Sequence, residues 1–172
     1  AFSNIQVESN NSLRPGPITS EEEQAVLAKN GDLVTATFDA TDTDSSGVAE
    51  VTASLAGISM TLVSSNDDTF VFSHTVSNGE LPDGEALLQF TATDVAGNRK
   101  YWTNNNWVMI DSTLPTAQTS VQPAPAKIGS NIVYQAVFSE AVTGTTITAT
   151  HSNGIDTLEL IQDVAASSGN LY

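Results

Sequence analysis

"LAKNGDLVTATFDATDTDSSGVAEVTASLAG", residues 27–57, decides the fold. Val34, Ala36 and Phe38 alternate with Thr35, Thr37 and Asp39, the period of two expected of a strand with one buried face. Asn30-Gly31 ahead of it is a turn pair, and the polar stretch from Thr41 to Gly47 bends the chain into a second strand at about 48–54. The same alternation returns at Phe70, Phe72 and Val76, and at Ala86, Leu88, Phe90 and Ala92. In the second half Ile132, Tyr134, Ala136 and Phe138 repeat it. Asn78-Gly79, Asp83-Gly84 and Gly97-Asn98 punctuate these runs.

The chain reads as all-β. "TITATHSNGIDTLELI" forms a hairpin about Asn153-Gly154, a pair that tolerates the positive φ a two-residue turn needs. "SEEEQAVLAKN", residues 20–30, offers Ser20 as an N-cap and good helix formers, enough for one or two helical turns.

The sequence also repeats. "LAKNGDLVTATF" at 27–38 resembles "PAKIGSNIVYQAVF" at 125–138, with Ala-Lys-x-Gly recurring 98 residues apart. That spacing suits one immunoglobulin-like β-sandwich of about 100 residues per repeat. Residues 1–112 are expected to form the first sandwich, with an acidic insert at 9–26, and residues 113–172 an incomplete second one. The expected strands of the first are 3–8, 32–39, 48–54, 58–64, 69–76, 86–93 and 100–110. The border falls at "VMIDSTLPT", with Pro115, Pro123 and Pro125 stiffening the linker. Opening on Ala1, the chain is expected to be a piece of something longer.

Composition narrows the partners. Five Lys and Arg against twenty Asp and Glu give a formal net charge of −15 among 172 residues. Phosphates would be repelled, so nucleic acid and anionic membrane surfaces are excluded as natural partners. There is no cysteine, hence no disulfide and no thiolate metal site. No run approaches the roughly 20 apolar residues of a membrane-spanning helix.

"FTATDVAGN" at 90–98 and "VMIDSTLPT" at 108–116 resemble the close of a bacterial or archaeal Ig-like tandem repeat of large cell-surface proteins, adhesins and S-layer proteins among them. "AKNGDLVTATFDATD" resembles its opening. The resemblance covers about residues 26–138. It implies a Greek-key sandwich, an extracellular or cell-surface location, and calcium at loops or junctions.

Two acidic places bear on calcium. Asp42, Asp44, Ser46 and Gly47 occupy the first, third, fifth and sixth places of a calcium-loop pattern. The twelfth place is Ala53 where an EF-hand needs glutamate, so this is no EF-hand. In a sandwich this loop lies beside the turn carrying Asp94 and Asn98. The opposite end is expected to gather Glu21, Glu22, Glu23, Glu80, Asp83 and Asp111, where carboxylates repel unless solvated or bridged by a cation. At both places the plain alternative is a solvated acidic loop that satisfies its own backbone.

Trp102 and Trp107 would stack on a sugar if they faced outward; turned inward, they are core residues around a bulge at Asn104–Asn106. His74 and His151 stand in separate repeats, and no nucleophile-elbow pattern occurs, so no enzyme is expected. The expected role is a non-catalytic spacer whose partners are neighbouring repeats, other copies, or a surface glycan or protein. The alternatives are a glycan- or protein-binding module and an assembly subunit completed by strand exchange.

Overall fold

A computed structural model of the chain describes residues 1–20, 22–42, 47–122, 124, 125, 127, 129, 133–139, 148–151 and 154–157. It separates into two units, Ala1–Thr113 and Leu114–Tyr172.

Unit 1 is a sandwich of two sheets. Its strands are β1 (Phe2–Ser9), β2 (Val26–Ala28), β3 (Leu33–Ala40), β4 (Val48–Leu55), β5 (Ile58–Ser59), β6 (Thr61–Asn66), β7 (Thr69–Thr75), β8 (Gly84–Asp94) and β9 (Arg99–Ile110). One sheet has the order β1-β3-β7-β6 and the other β2-β9-β8-β4-β5. All neighbours are antiparallel except β2 and β9, which run parallel from Val26 opposite Val108 to Ala28 opposite Ile110.

Alternation decides the core. On β3, Val34, Ala36, Phe38 and Ala40 are fully buried while the residues between them are half-buried. On β8, Ala86, Leu88 and Phe90 play the same part from the opposing sheet. Phe38 and Phe90 meet across the sandwich with ring centroids 4.0 Å apart. Phe2, Phe70 and Phe72 surround Phe38 at 5.6, 6.2 and 5.8 Å. Full burial of each such ring contributes roughly 1.5–3 kcal/mol.

Two expected elements come out differently. Residues 20–30 hold no helix among those described; Val26–Ala28 is a strand, and Glu23 donates its N–H to the Ser20 carbonyl in a bend. An isolated helix this short is marginal in water, whereas the rim of β9 supplies ready hydrogen-bond partners. The single strand expected at 58–64 is two strands in different sheets. Ala56 and Gly57, at φ 49° and 84°, make the tight hairpin that pairs β5 with β4. Met60, 6% exposed, then plugs the core, and β6 crosses to pair with β7.

In unit 2, β10 (Ala117–Gln122) pairs antiparallel with β11 (Val133–Phe138), as β1 does with β3. Gly129, at φ 84°, repeats Gly31 at φ 90° one period earlier. A second hairpin joins β12 (Thr148–His151) to β13 (Gly154–Thr157). Gly154 stands in the ladder opposite His151, and Asn153 of the expected turn lies outside the described residues. Pro115 lies between β9 and β10, but Pro125 follows β10 and is not in the linker; Pro123 falls outside the described residues.

Candidate functional site

Chain direction defines the two ends of unit 1. Thr41, just past the end of β3, donates its N–H to the Ala1 carbonyl at 2.9 Å. Ser112, after β9, accepts through its Oγ the N–H of Asn30, just before the start of β3, at 3.0 Å. The chain therefore enters at one end of the sandwich and leaves at the other.

At the entry end the two expected loops do adjoin. Val48 pairs with Asp94, and Val95 donates its N–H to the Gly47 carbonyl at 3.1 Å. Asp42 Oδ2 accepts the Gly47 N–H at 3.0 Å. Asp94 accepts the Asn98 backbone N–H on Oδ1 at 2.7 Å and the Asn98 amide on Oδ2 at 2.8 Å. The Asn98 side chain and neighbouring backbone N–H groups hold the Asp94 carboxyl below its usual value. These bonds satisfy loop backbone, which is what Asp and Asn do in turns. Asp44 lies outside the described residues.

At the exit end Asp83 ties down the departing chain. Its Oδ1 accepts the Ser112 N–H at 2.7 Å, and its Oδ2 accepts the Thr113 hydroxyl in a very short hydrogen bond. The Thr113 hydroxyl first, and the Ser112 N–H second, lower the Asp83 carboxyl from its usual value. Asp111 donates its N–H to the Ala28 carbonyl at 2.9 Å, and Asn30 Nδ2 donates to Asn78 Oδ1 at 3.0 Å. The β2–β3 and β7–β8 connections thus converge on residues 111–113.

Glu80 is occupied beside them. Its Oε2 accepts the Ser77 N–H and meets His74 Nε2, each at 3.0 Å. The Ser77 bond leads the causes that lower the Glu80 carboxyl, with His74 adding to it. Glu22 is exposed in the run that precedes β2, and β2 itself runs towards the exit. Glu21 is outside the described residues. Among the described residues no three His, Asp or Glu side chains stand close enough to hold a metal ion.

The tryptophans face inward. Trp107 is 4% exposed, and Trp102 is half-buried against Phe90 at 4.8 Å. The two indoles meet edge to face at 5.3 Å. The cause is the bulge. Ala86 pairs with Val108 and Leu88 with Asn104, so Asn105 to Trp107 oppose Leu87 alone. Asn104 Oδ1 accepts the Asn106 N–H at 2.8 Å and fixes the bulge. Trp107 is turned into the core beside Val108, with its Nε1 lacking a hydrogen-bond partner among the described residues. No exposed tryptophan pair is left to stack on a sugar.

Sequence reasoning missed the Asp83 clamp and the His74–Glu80 pairing. Asp83-Gly84 reads simply as a turn, and nothing local marks Ser112 and Thr113 as its partners. Compared with protein-family models, curated proteins and solved structures, the chain matches none.

Proposed function

We propose that this chain is a non-catalytic spacer module of an exported cell-surface protein, built from immunoglobulin-like repeats. One observation carries the reading: in unit 1 the chain enters and leaves at opposite ends. Ala1 beside Thr41 and Ser112 beside Asn30 are separated by the length of β3. At 3.3 Å per residue, eight residues span about 26 Å. Such a module lengthens a chain with each copy. The strand orders β1-β3-β7-β6 and β9-β8-β4 support the immunoglobulin-like assignment, since sheets ABED and GFC have that order.

Single-molecule pulling tests the spacer role. Unit 1 is expected to unfold in one step that releases roughly 35–40 nm of chain, given about 3.6 Å per extended residue. A featureless extension would overturn it. Labelling of intact cells with an antibody to unit 1 tests the location, and staining only after permeabilisation would count against export.

Calcium belongs to this proposal as a stiffener of the entry end. What supports it is that Asp42 and Asp94 stand on adjoining loops there, carboxylate oxygens of the kind calcium takes as ligands. Thermal melts in calcium chloride and in sodium chloride of equal ionic strength separate binding from screening. A higher midpoint in calcium is expected, and identical midpoints would remove the ion from the reading.

A further inference from the structure

Asparagine is followed by glycine at Asn30, Asn78 and Asn153. Asparagine is among the thermolabile residues, and a following glycine offers a backbone nitrogen that no Cβ shields. Asn153 lies outside the described residues. The other two steps stand side by side at the exit end, where Asn30 Nδ2 donates to Asn78 Oδ1 at 3.0 Å. Both are exposed, so access does not tell them apart.

Their glycine nitrogens do. Gly31 donates its N–H to the Val76 carbonyl at 2.8 Å, and Val76, which is buried, donates its own N–H to the Asp32 carbonyl at 2.9 Å. Asn30 is held as well, its N–H on Ser112 Oγ at 3.0 Å. In the turn from Ser77 to Glu80, the Glu80 N–H donates to the Ser77 carbonyl at 3.1 Å and Glu80 Oε2 accepts the Ser77 N–H at 3.0 Å. These bonds close the turn without using Gly79, whose N–H has no partner among the described residues.

We propose that Asn78 is a site of spontaneous deamidation, with the Asn30 amide as the hydrogen-bond donor that assists it. The Gly79 nitrogen attacks Asn78 Cγ and gives its proton to water. Negative charge gathers on Asn78 Oδ1, the atom that the Asn30 amide already faces. The Cγ–Nδ2 bond then breaks, and Nδ2 takes a proton from water and leaves as ammonia. Water opens the resulting succinimide at either carbonyl, giving aspartate or isoaspartate at position 78. The sum is amide plus water to acid plus ammonia, and no oxidant or reductant is consumed.

At Asn30 the same attack first requires Gly31 to leave the Val76 carbonyl. Asn30 Oδ1, moreover, accepts no hydrogen bond among the described residues. The product at position 78 is a charge-changing modification, a new carboxylate two residues from Glu80 at the exit end. The inference does not rest on the spacer role, and either can fail alone.

Incubation of the whole chain at mildly alkaline pH, followed by peptide mapping and isoaspartyl-methyltransferase labelling, tests it. Asn78 is expected to convert at least about tenfold faster than Asn30 in the folded chain. In concentrated urea, where the fold is lost, the two are expected to react at similar rates. Asn30→Ala is expected to slow the reaction at Asn78 about threefold or more, whereas mere loosening of the turn would speed it. Equal rates in the folded chain, faster loss at Asn30, or an Asn78 that stays intact while the unfolded chain reacts would each overturn the proposal. An Asn30→Ala chain that reacts at Asn78 as fast as the parent, or faster, overturns the role given to Asn30.

Discussion

Phe38 touches four other phenylalanine rings and is fully buried, so no neighbour can close the space its ring would leave. Phe38→Ala is expected to cost about 3–5 kcal/mol, read as a lower urea midpoint at unchanged slope. Gly16 is a second residue with no slack. It sits at φ +85°, and an added Cβ would meet the Val7 carbonyl oxygen and Val26 Cγ1, both at 2.8 Å. Gly57 has nearly the same φ, +84°, with nothing within 4 Å of an added Cβ. Gly57→Ala therefore carries only the left-handed backbone cost of about 1–2 kcal/mol, and Gly16→Ala roughly 1–3 kcal/mol more. Paired urea titrations measure the difference; equal losses would show that the insert yields freely around Gly16. The glycine pattern was legible at Gly31, which stands in the turn dipeptide Asn30-Gly31. Nothing near Gly16 announces its close contacts, because Val7 and Val26 reach it from other strands.

Among the elements, β9 shows how a local signal succeeds and the β5–β6 region how one fails. Three asparagines between two tryptophans mark a bulge, and the structure has it opposite Leu87. Residues 58–64 read as one strand because an apolar-polar pattern is blind to a change of sheet. The change happens at Met60, whose N–H donates to the Ala53 carbonyl at 2.9 Å while the next residue, Thr61, already pairs with Ser73. The Asp83 clamp belongs to this scale as well, since it fixes the end of β9 through a loop from the other sheet's connection. Asp83→Ala is expected to raise the amide hydrogen-exchange rate of Ser112 while leaving β8 and β9 amides protected. Unchanged exchange at Ser112 would mean that Asn30 and Ala28 alone hold the exit.

For the whole molecule, Asp39, Glu80, Asp83 and Asp94 all bind their protons less readily in the fold than usual. The Thr69 hydroxyl, then the Asn4 amide, lower Asp39; the partners of the others are given above. Groups of this kind add stability that is present above their ordinary values of 3.8 for Asp and 4.5 for Glu. That stability is lost as pH falls from there through the lowered values in the fold. The urea midpoint is therefore expected to be flat from pH 7 to about pH 5 and to decline below pH 4.5. A chain with Asp39→Asn, Glu80→Gln, Asp83→Asn and Asp94→Asn should show a shallower decline. An equal decline would assign acid loss to other carboxylates.

The sequence by itself determined the all-β class, which residues of β3 and β8 face the core, where the long strands begin and end to within about two residues, and that a motif recurs after 98 residues. Each of these follows from a period of two and from turn residues, which act over a few neighbouring positions. Only the tertiary structure decided which strands become edges, that Val26–Ala28 joins β9 rather than coiling, that the chain changes sheets at Met60, and which hydroxyl and amide groups hold each carboxylate. Those outcomes depend on hydrogen-bond partners tens of residues away, and no local pattern encodes a partner that only folding brings near.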